Sequence, residues 1–214
     1  MLTLAAAFIS TAAADSVKLR DDQAPGTVAQ VEKGKQMFAM CGGCHGQDGE
    51  GKVATAPRLN SGSYLGVVSN AFLTRTIVEG RAGTNMIAWG KAQTPEDTAA
   101  IVAYIRSWQD VDGIELDESA LKGEVALGEK VYHDICSRCH GRSGAGYLEA
   151  GSGTGIGRKG FLDQASNGML RGIIEKGKDN TAMRPFDRKS PVAVANLTPE
   201  EIDSVIVYLR ANAW

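Results

Sequence analysis

The strongest constraint on this 214-residue chain is that it repeats itself. Val31–Gly46 (VEKGKQMFAMCGGCHG) aligns with Val125–Gly141 (VALGEKVYHDICSRCHG), with one extra residue in the second copy. The copies then run together at a shift of 97, which brings Leu65 onto Leu162, Gly80 onto Gly177 and Met86 onto Met183. At a shift of 104, Thr94-Pro95-Glu96 meets Thr198-Pro199-Glu200, and Tyr104-Ile105-Arg106 meets Tyr208-Leu209-Arg210. A repeat of this kind predicts two copies of one fold.

Each copy reads as helical. Thr94 and Thr198 are placed as N-caps, with Pro at the first helical position and Asp97 or Glu201 three residues after the cap. Ile101, Ile105 and Trp108 give one apolar stripe, and Ile202, Val205, Ile206 and Leu209 give its counterpart. Further helices are predicted around Val31 to Met40, Ala71 to Glu79, Val125 to Ile135 and Gly168 to Glu175. The long Gly-rich loops between them suit a chain that wraps a ligand. Aromatics make up only 6% of the chain, so two small domains need buried apolar surface from elsewhere, and a bulky cofactor would supply it.

The layout predicted is a leader at 1–14, an N-terminal extension at 15–29, domains at 30–109 and 124–214, and a connector at 110–123. The leader has a short apolar run, Leu2 to Ile9, then Thr11-Ala12-Ala13-Ala14 and a polar stretch. It reads as a secretory signal peptide lacking the usual basic start, with a retained N-terminal helix as the alternative. Asp110 to Glu124 holds six acids and one base. That segment reads as a solvated linker, or else as a docking site for a basic partner. With 23 basic and 25 acidic residues overall, the chain is no strongly basic nucleic-acid binder, and no stretch is apolar for long enough to span a bilayer.

The chemistry sits in two five-residue motifs, Cys41-Gly42-Gly43-Cys44-His45 and Cys136-Ser137-Arg138-Cys139-His140. Both are C-x-x-C-H, the attachment signature of c-type haem. Two thiols about one helical turn apart can form thioethers to the two vinyl groups of one porphyrin, and the next residue aims an imidazole at the iron. Other readings are a redox-active C-x-x-C, which would need a βαβ context, one structural zinc, which would not explain the repeat, and disulfides between the pairs. None of them requires a His after each second Cys.

An iron held by His needs a second ligand for electron transfer. His133, the remaining histidine, lies three residues before Cys136, too close in sequence to reach that iron's far face. It reads as a packing or surface residue, with a haem-ligand or proton-linked role as the alternative. Met86 and Met183 occupy matched loop positions, each six residues beyond an equivalent Gly, and are the expected axial ligands. Met169 aligns with Phe72 and reads as core. Gly155 to Gly160 formally spells G-x-G-x-x-G but follows no clear strand, so turn flexibility accounts for it better than nucleotide binding.

Each half resembles a class I cytochrome c, and the tandem resembles the two-haem c-type cytochromes of bacterial respiratory chains. The matching features are Gly34 with Phe38 and Gly128 with Tyr132 in the first helices, the C-x-x-C-H motifs, the Met loops, and Tyr104 and Tyr208 in the closing helices. The resemblance implies an all-α fold of two tandem domains, each wrapped around a covalent haem, with first and last helices crossing at those Gly and aromatic positions. It also implies that the Pro57 carbonyl holds the His45 ring. Thr154 stands at the corresponding place in the second copy, where the loop is less constrained. The function implied is single-electron transfer between redox protein partners in the periplasm, without catalysis, because both irons would be six-coordinate. The alternative is a cytochrome subunit of a dehydrogenase or oxidase complex.

Overall fold

The computed structural model describes residues 17–214, so the leader predicted at 1–14 lies outside the described residues. The first half contains α1 (Val28–His45), α2 (Gly62–Val67), α3 (Asn70–Glu79) and α4 (Pro95–Arg106). The second contains α5 (Val125–Val131), a π-helical turn (Tyr132–Cys136), α6 (Ser137–His140), α7 (Lys159–Leu162), α8 (Asn167–Lys176) and α9 (Pro199–Ala211). Among the described residues only isolated bridges, and no strands, accompany these helices. The all-α expectation holds. The short α2 and α7 were not predicted, because four to six residues are too few to show a periodicity.

The closing helices start where the sequence placed them. Thr94 Oγ1 accepts the Asp97 N–H while Asp97 accepts the Thr94 N–H, and Thr198 and Glu201 form the same reciprocal pair. In each half the first helix crosses the last at a glycine. A Cβ on Gly34 would lie 1.9 Å from the Ala100 carbonyl oxygen, and one on Gly128 would lie 1.9 Å from that of Ser204. Beside the first crossing, Phe38 is 1% exposed and meets Tyr104 and Trp108 edge-on, with centroids 5.5 and 5.1 Å away. Beside the second, Tyr132 packs on Tyr208 at 5.4 Å.

The extra residue of the second copy is absorbed in the π-helical turn. Cys41 is the seventh residue after Gly34 and Cys136 the eighth after Gly128, yet the second helix keeps both its glycine crossing and its C-x-x-C-H end. A single wide turn takes up one inserted residue without breaking the helix. His133 lies in this turn, and its Nε2 is 3.2 Å from the Tyr208 hydroxyl, so it ties the first helix of its half to the last.

A second duplicated device had no assigned role in the sequence. Arg106 donates to the carbonyls of Leu65 (2.7 Å) and Val68 (3.0 Å) and to Asn70 Oδ1 (2.9 Å). Arg210 donates to Leu162 (2.7 Å), Ala165 (2.8 Å) and Asn167 Oδ1 (3.0 Å), the same positions shifted by 97. Each guanidinium ties the closing helix to the turn between the two middle helices, satisfying carbonyls that no helix ladder reaches.

The acidic connector lies along both halves. Ile114, Leu116 and Leu121 pack against the core, and the Ile114 N–H donates to Gly66 O (3.1 Å). Glu118 accepts the Gly168 N–H at the start of α8 (2.9 Å). Arg171 donates to the Asp117 and Ser119 carbonyls and, at 2.6 and 2.9 Å, to the carboxylate of Asp203, which also takes the Lys122 N–H. Burial alone would raise the Asp203 pKa, but the Arg171 and Lys122 hydrogen bonds outweigh it and hold the carboxyl below its ordinary value. A depressed folded pKa contributes stability above the unfolded value of about 3.9 and loses it as pH falls through the folded value. Asp203→Asn, which leaves the buried guanidinium only the exposed Asp117 carboxylate at 3.6 Å, should cost about 3 kcal/mol near neutrality. In thermal unfolding of the haem-loaded protein, the gap between wild type and variant should close as the pH drops below roughly 4.

The halves meet through two contacts related by the repeat. Arg81, in the loop after α3, lies over the rings of Phe72 (5.4 Å) and Phe161 (5.8 Å). Lys178, its equivalent after α8, lies 4.0 Å over the ring of Tyr64, the equivalent of Phe161. Arg158 donates to Ala82 O (3.0 Å). Asp179 caps α2 of the other half, accepting from Ser61 Oγ (2.8 Å), the Gly62 N–H (3.2 Å), the Ser63 N–H (2.6 Å) and the Ser63 hydroxyl.

Candidate functional site

Helix α1 ends at His45 and α6 at His140, and each is followed by a glycine with positive φ, Gly46 at 81° and Gly141 at 80°. A residue with a Cβ would be strained there, and the turn sends the chain back over the histidine it has just left. In the first half the returning loop brings Pro57 O to 2.9 Å from His45 Nδ1. In the second, Thr154 O lies 2.8 Å from His140 Nδ1. Thr154 therefore makes the same contact at the same length as Pro57. Gly153 permits the close approach, since a Cβ there would come within 2.9 Å of the imidazole.

A carbonyl oxygen can only accept, so Nδ1 carries the proton in both rings and Nε2 keeps its lone pair. Burial lowers the pKa of both imidazoles, more than the carbonyl bonds raise it, and at His45 the charge of Lys178 adds to the effect. Each site thus presents a neutral, oriented imidazole at the end of a helix that also carries two thiols. That donor set fits an iron porphyrin.

None of the four cysteines is paired in a disulfide. Burial pushes the Cys41 thiol up and that of Cys136 up to about 11, the opposite of the acidified thiol that a redox-active C-x-x-C requires.

The methionine loops repeat one hydrogen-bond pattern. Met86 O accepts the Arg81 N–H and Met183 O accepts the Lys178 N–H, both at 2.7 Å. Met86 N and Met183 N donate to Thr84 Oγ1 and Thr181 Oγ1, both at 3.1 Å. Three residues on, Trp89 N donates to Ile77 O (3.0 Å) and Phe186 N to Ile174 O (3.2 Å), which ties each loop to the helix before it. Both methionines are partly buried, and Met183 packs against the core. Sequence reasoning passed over Tyr64 and Lys178 near the first site. Their alignment with Phe161 and Arg81, an aromatic and a cation in each copy, was the signal available.

An all-helical fold presenting two such imidazole and dithiol sites defines a protein of the c-type haem class. A family model for cytochrome c matches residues 31–109 and 125–213, so the chain belongs to the cytochrome c family in both halves. Its cofactors are two covalently attached c-type haems. The chain is 28% identical over 177 residues, 82% of its length, to the cbb3-type cytochrome c oxidase subunit CcoP of Rubrivivax gelatinosus. It is 32% identical over 134 residues, 59% of its length, to the corresponding subunit FixP of Azorhizobium caulinodans. The matches take in 52% and 43% of those proteins, so the chain spans about half their length. A chain from the Kuenenia stuttgartiensis reducing HAO-like protein complex Kustc0457/Kustc0458 shares the fold at 19% identity, with a TM-score of 0.53, covering 90% of this chain and 98% of that one.

Proposed function

We infer that the protein passes single electrons between redox protein partners through two haems with His and Met axial ligands. Cys41 and Cys44 with His45, and Cys136 and Cys139 with His140, hold the two groups, and Met86 and Met183 complete the coordination. Pro57 and Thr154 act through the imidazoles, fixing the ring plane and the tautomer. The haem supplies a one-electron couple, and the polypeptide sets its potential through ligand choice, burial and nearby charge. The duplicated imidazole geometry carries this reading, because both halves present the same lone pair by the same carbonyl device.

The leader-like sequence at 1–14 and the covalent haems support a periplasmic location. No helix among the described residues is long and apolar enough to cross a membrane. The two relatives are named as subunits of cbb3-type oxidases, which favours a second form of the same reading, an electron-transferring subunit of an oxidase assembly. Potentiometric titration of protein matured in a haem-attaching host should give two one-electron waves, and its mass should exceed the bare polypeptide by two haems. Affinity isolation from the native membrane and periplasmic fractions separates the two forms. A carrier should elute with only salt-sensitive companions, whereas a subunit should retain a catalytic chain in high salt. The bare polypeptide mass, or a mass increase of one haem, would refute the two-haem reading itself.

A further inference from the structure

Lys178 belongs to the second half, yet its side chain serves the first. Its ammonium sits over the ring of Tyr64 and within electrostatic reach of Arg58 and His45. Among the described residues it makes no hydrogen bond and no ion pair. The neighbouring carboxylate is already committed, since Asp179 accepts from Ser61, Gly62 and Ser63 at the start of α2. Arg58, the other cation here, donates to Asn60 O (2.9 Å), and it follows Pro57, whose carbonyl orients His45. Two positive groups therefore converge near the first site, and the one carboxylate beside Lys178, that of Asp179, spends its oxygens on α2. A partly buried ammonium with no acceptor of its own calls for one.

The repeat provides an internal comparison. Arg81, the equivalent of Lys178, spends its guanidinium on Gly80 O (3.2 Å), Thr76 Oγ1 (2.6 Å) and Gln164 Oε1. Three of its five N–H groups are thus satisfied by neighbours, whereas the Lys178 ammonium donates to none. Both cations lie over a ring of the other half, but only Arg81 is hydrogen-bonded.

Resting on the two-haem reading above, we propose that Lys178 reaches across the interface to a propionate carboxylate of the first half's haem, so that the second half sets part of that haem's potential. Burial lowers the Lys178 amine to about 7, and a carboxylate partner would hold it in the charged form. That positive charge favours the reduced, less positive state of an iron centre, so Lys178 raises the potential of the first haem and leaves the second alone. Docking of the halves and the redox balance between the haems are coupled through one side chain.

The test is redox titration of the haem-loaded protein bearing Lys178→Gln, with Lys178→Met as a second variant that keeps the stem packed on Tyr64. The wave displaced by Met86→Ala identifies the first haem. Both Lys178 variants should shift the one-electron equilibrium of that haem about tenfold toward the oxidised form, about 59 mV, with the second wave unmoved. Lys178→Arg should restore the wild-type value, which a merely structural role in packing would not require. An unmoved first wave, or an equal shift of both waves, would overturn the proposal while two waves persist. A wild-type mass lacking two haems would instead dispose of the reading beneath it.

Discussion

Met86→Ala should lower the potential of one haem by on the order of 100 mV and leave the other where it was, and Met183→Ala should do the reverse. A thioether is a soft donor that stabilises ferrous iron, and its loss opens the sixth position to water, which favours the ferric state. Each substitution should also remove about half of the ferric sulfur-to-iron absorption band, since each half would contribute one such bond. The loops carrying these residues are held by matching contacts from Arg81 and Lys178, from Thr84 and Thr181, and from the helices before them. The backbone of either loop should therefore survive truncation of its side chain. Potentiometry combined with near-infrared or visible spectra of each variant checks the assignment. If both waves and the full band survive either substitution, the sixth ligand of that half is another residue.

Gly34→Ala and Gly128→Ala should each destabilise the haem-loaded protein by about 3 kcal/mol or more. The new methyl carbon would stand 1.9 Å from a backbone oxygen of the opposing helix, and 2.6 Å (Gly34) or 2.5 Å (Gly128) from the carbon bearing it. Neither atom belongs to a flexible side chain, so the helices must separate. Helix propensity would favour Ala over Gly by about 1 kcal/mol, which offsets only part of the clash. Separation would also loosen the aromatic contacts of Phe38 or Tyr132, the largest fully buried side chains beside the two crossings. Gly160→Ala is the control. A Cβ there meets nothing within 4 Å, so the propensity gain should stand alone and the variant should be neutral or slightly stabilised. Denaturant unfolding followed by the haem absorbance distinguishes these outcomes. If Gly34→Ala unfolds at the wild-type midpoint, the crossing is not as close as described.

Much of the fold was legible from local chemistry. Thr94 with Asp97 and Thr198 with Glu201 mark helix starts because a cap is read from four adjacent residues, and both formed as expected. The repeat showed that two copies of one fold follow each other, and the C-x-x-C-H motifs showed which cofactor each would carry. The one-residue excess in the second copy was visible, but where it would go was not. An extra residue before Cys136 could have shifted the glycine crossing or the motif, and the choice of a wide turn rests on preserving both packings at once. Arg106 and Arg210 were aligned without a role, because their acceptors are carbonyls some 40 to 50 residues away.

By itself, then, the sequence determined the class of fold, the duplication and the cofactor, since all of these are written in short-range patterns. Only the tertiary structure decided how the halves face each other, that the acidic connector lies against both, and that Lys178 stands over the other half's Tyr64 with its ammonium unbonded. Those outcomes depend on contacts between positions about 50 to more than 100 residues apart, where burial and shape choose the partner and no local periodicity records the choice.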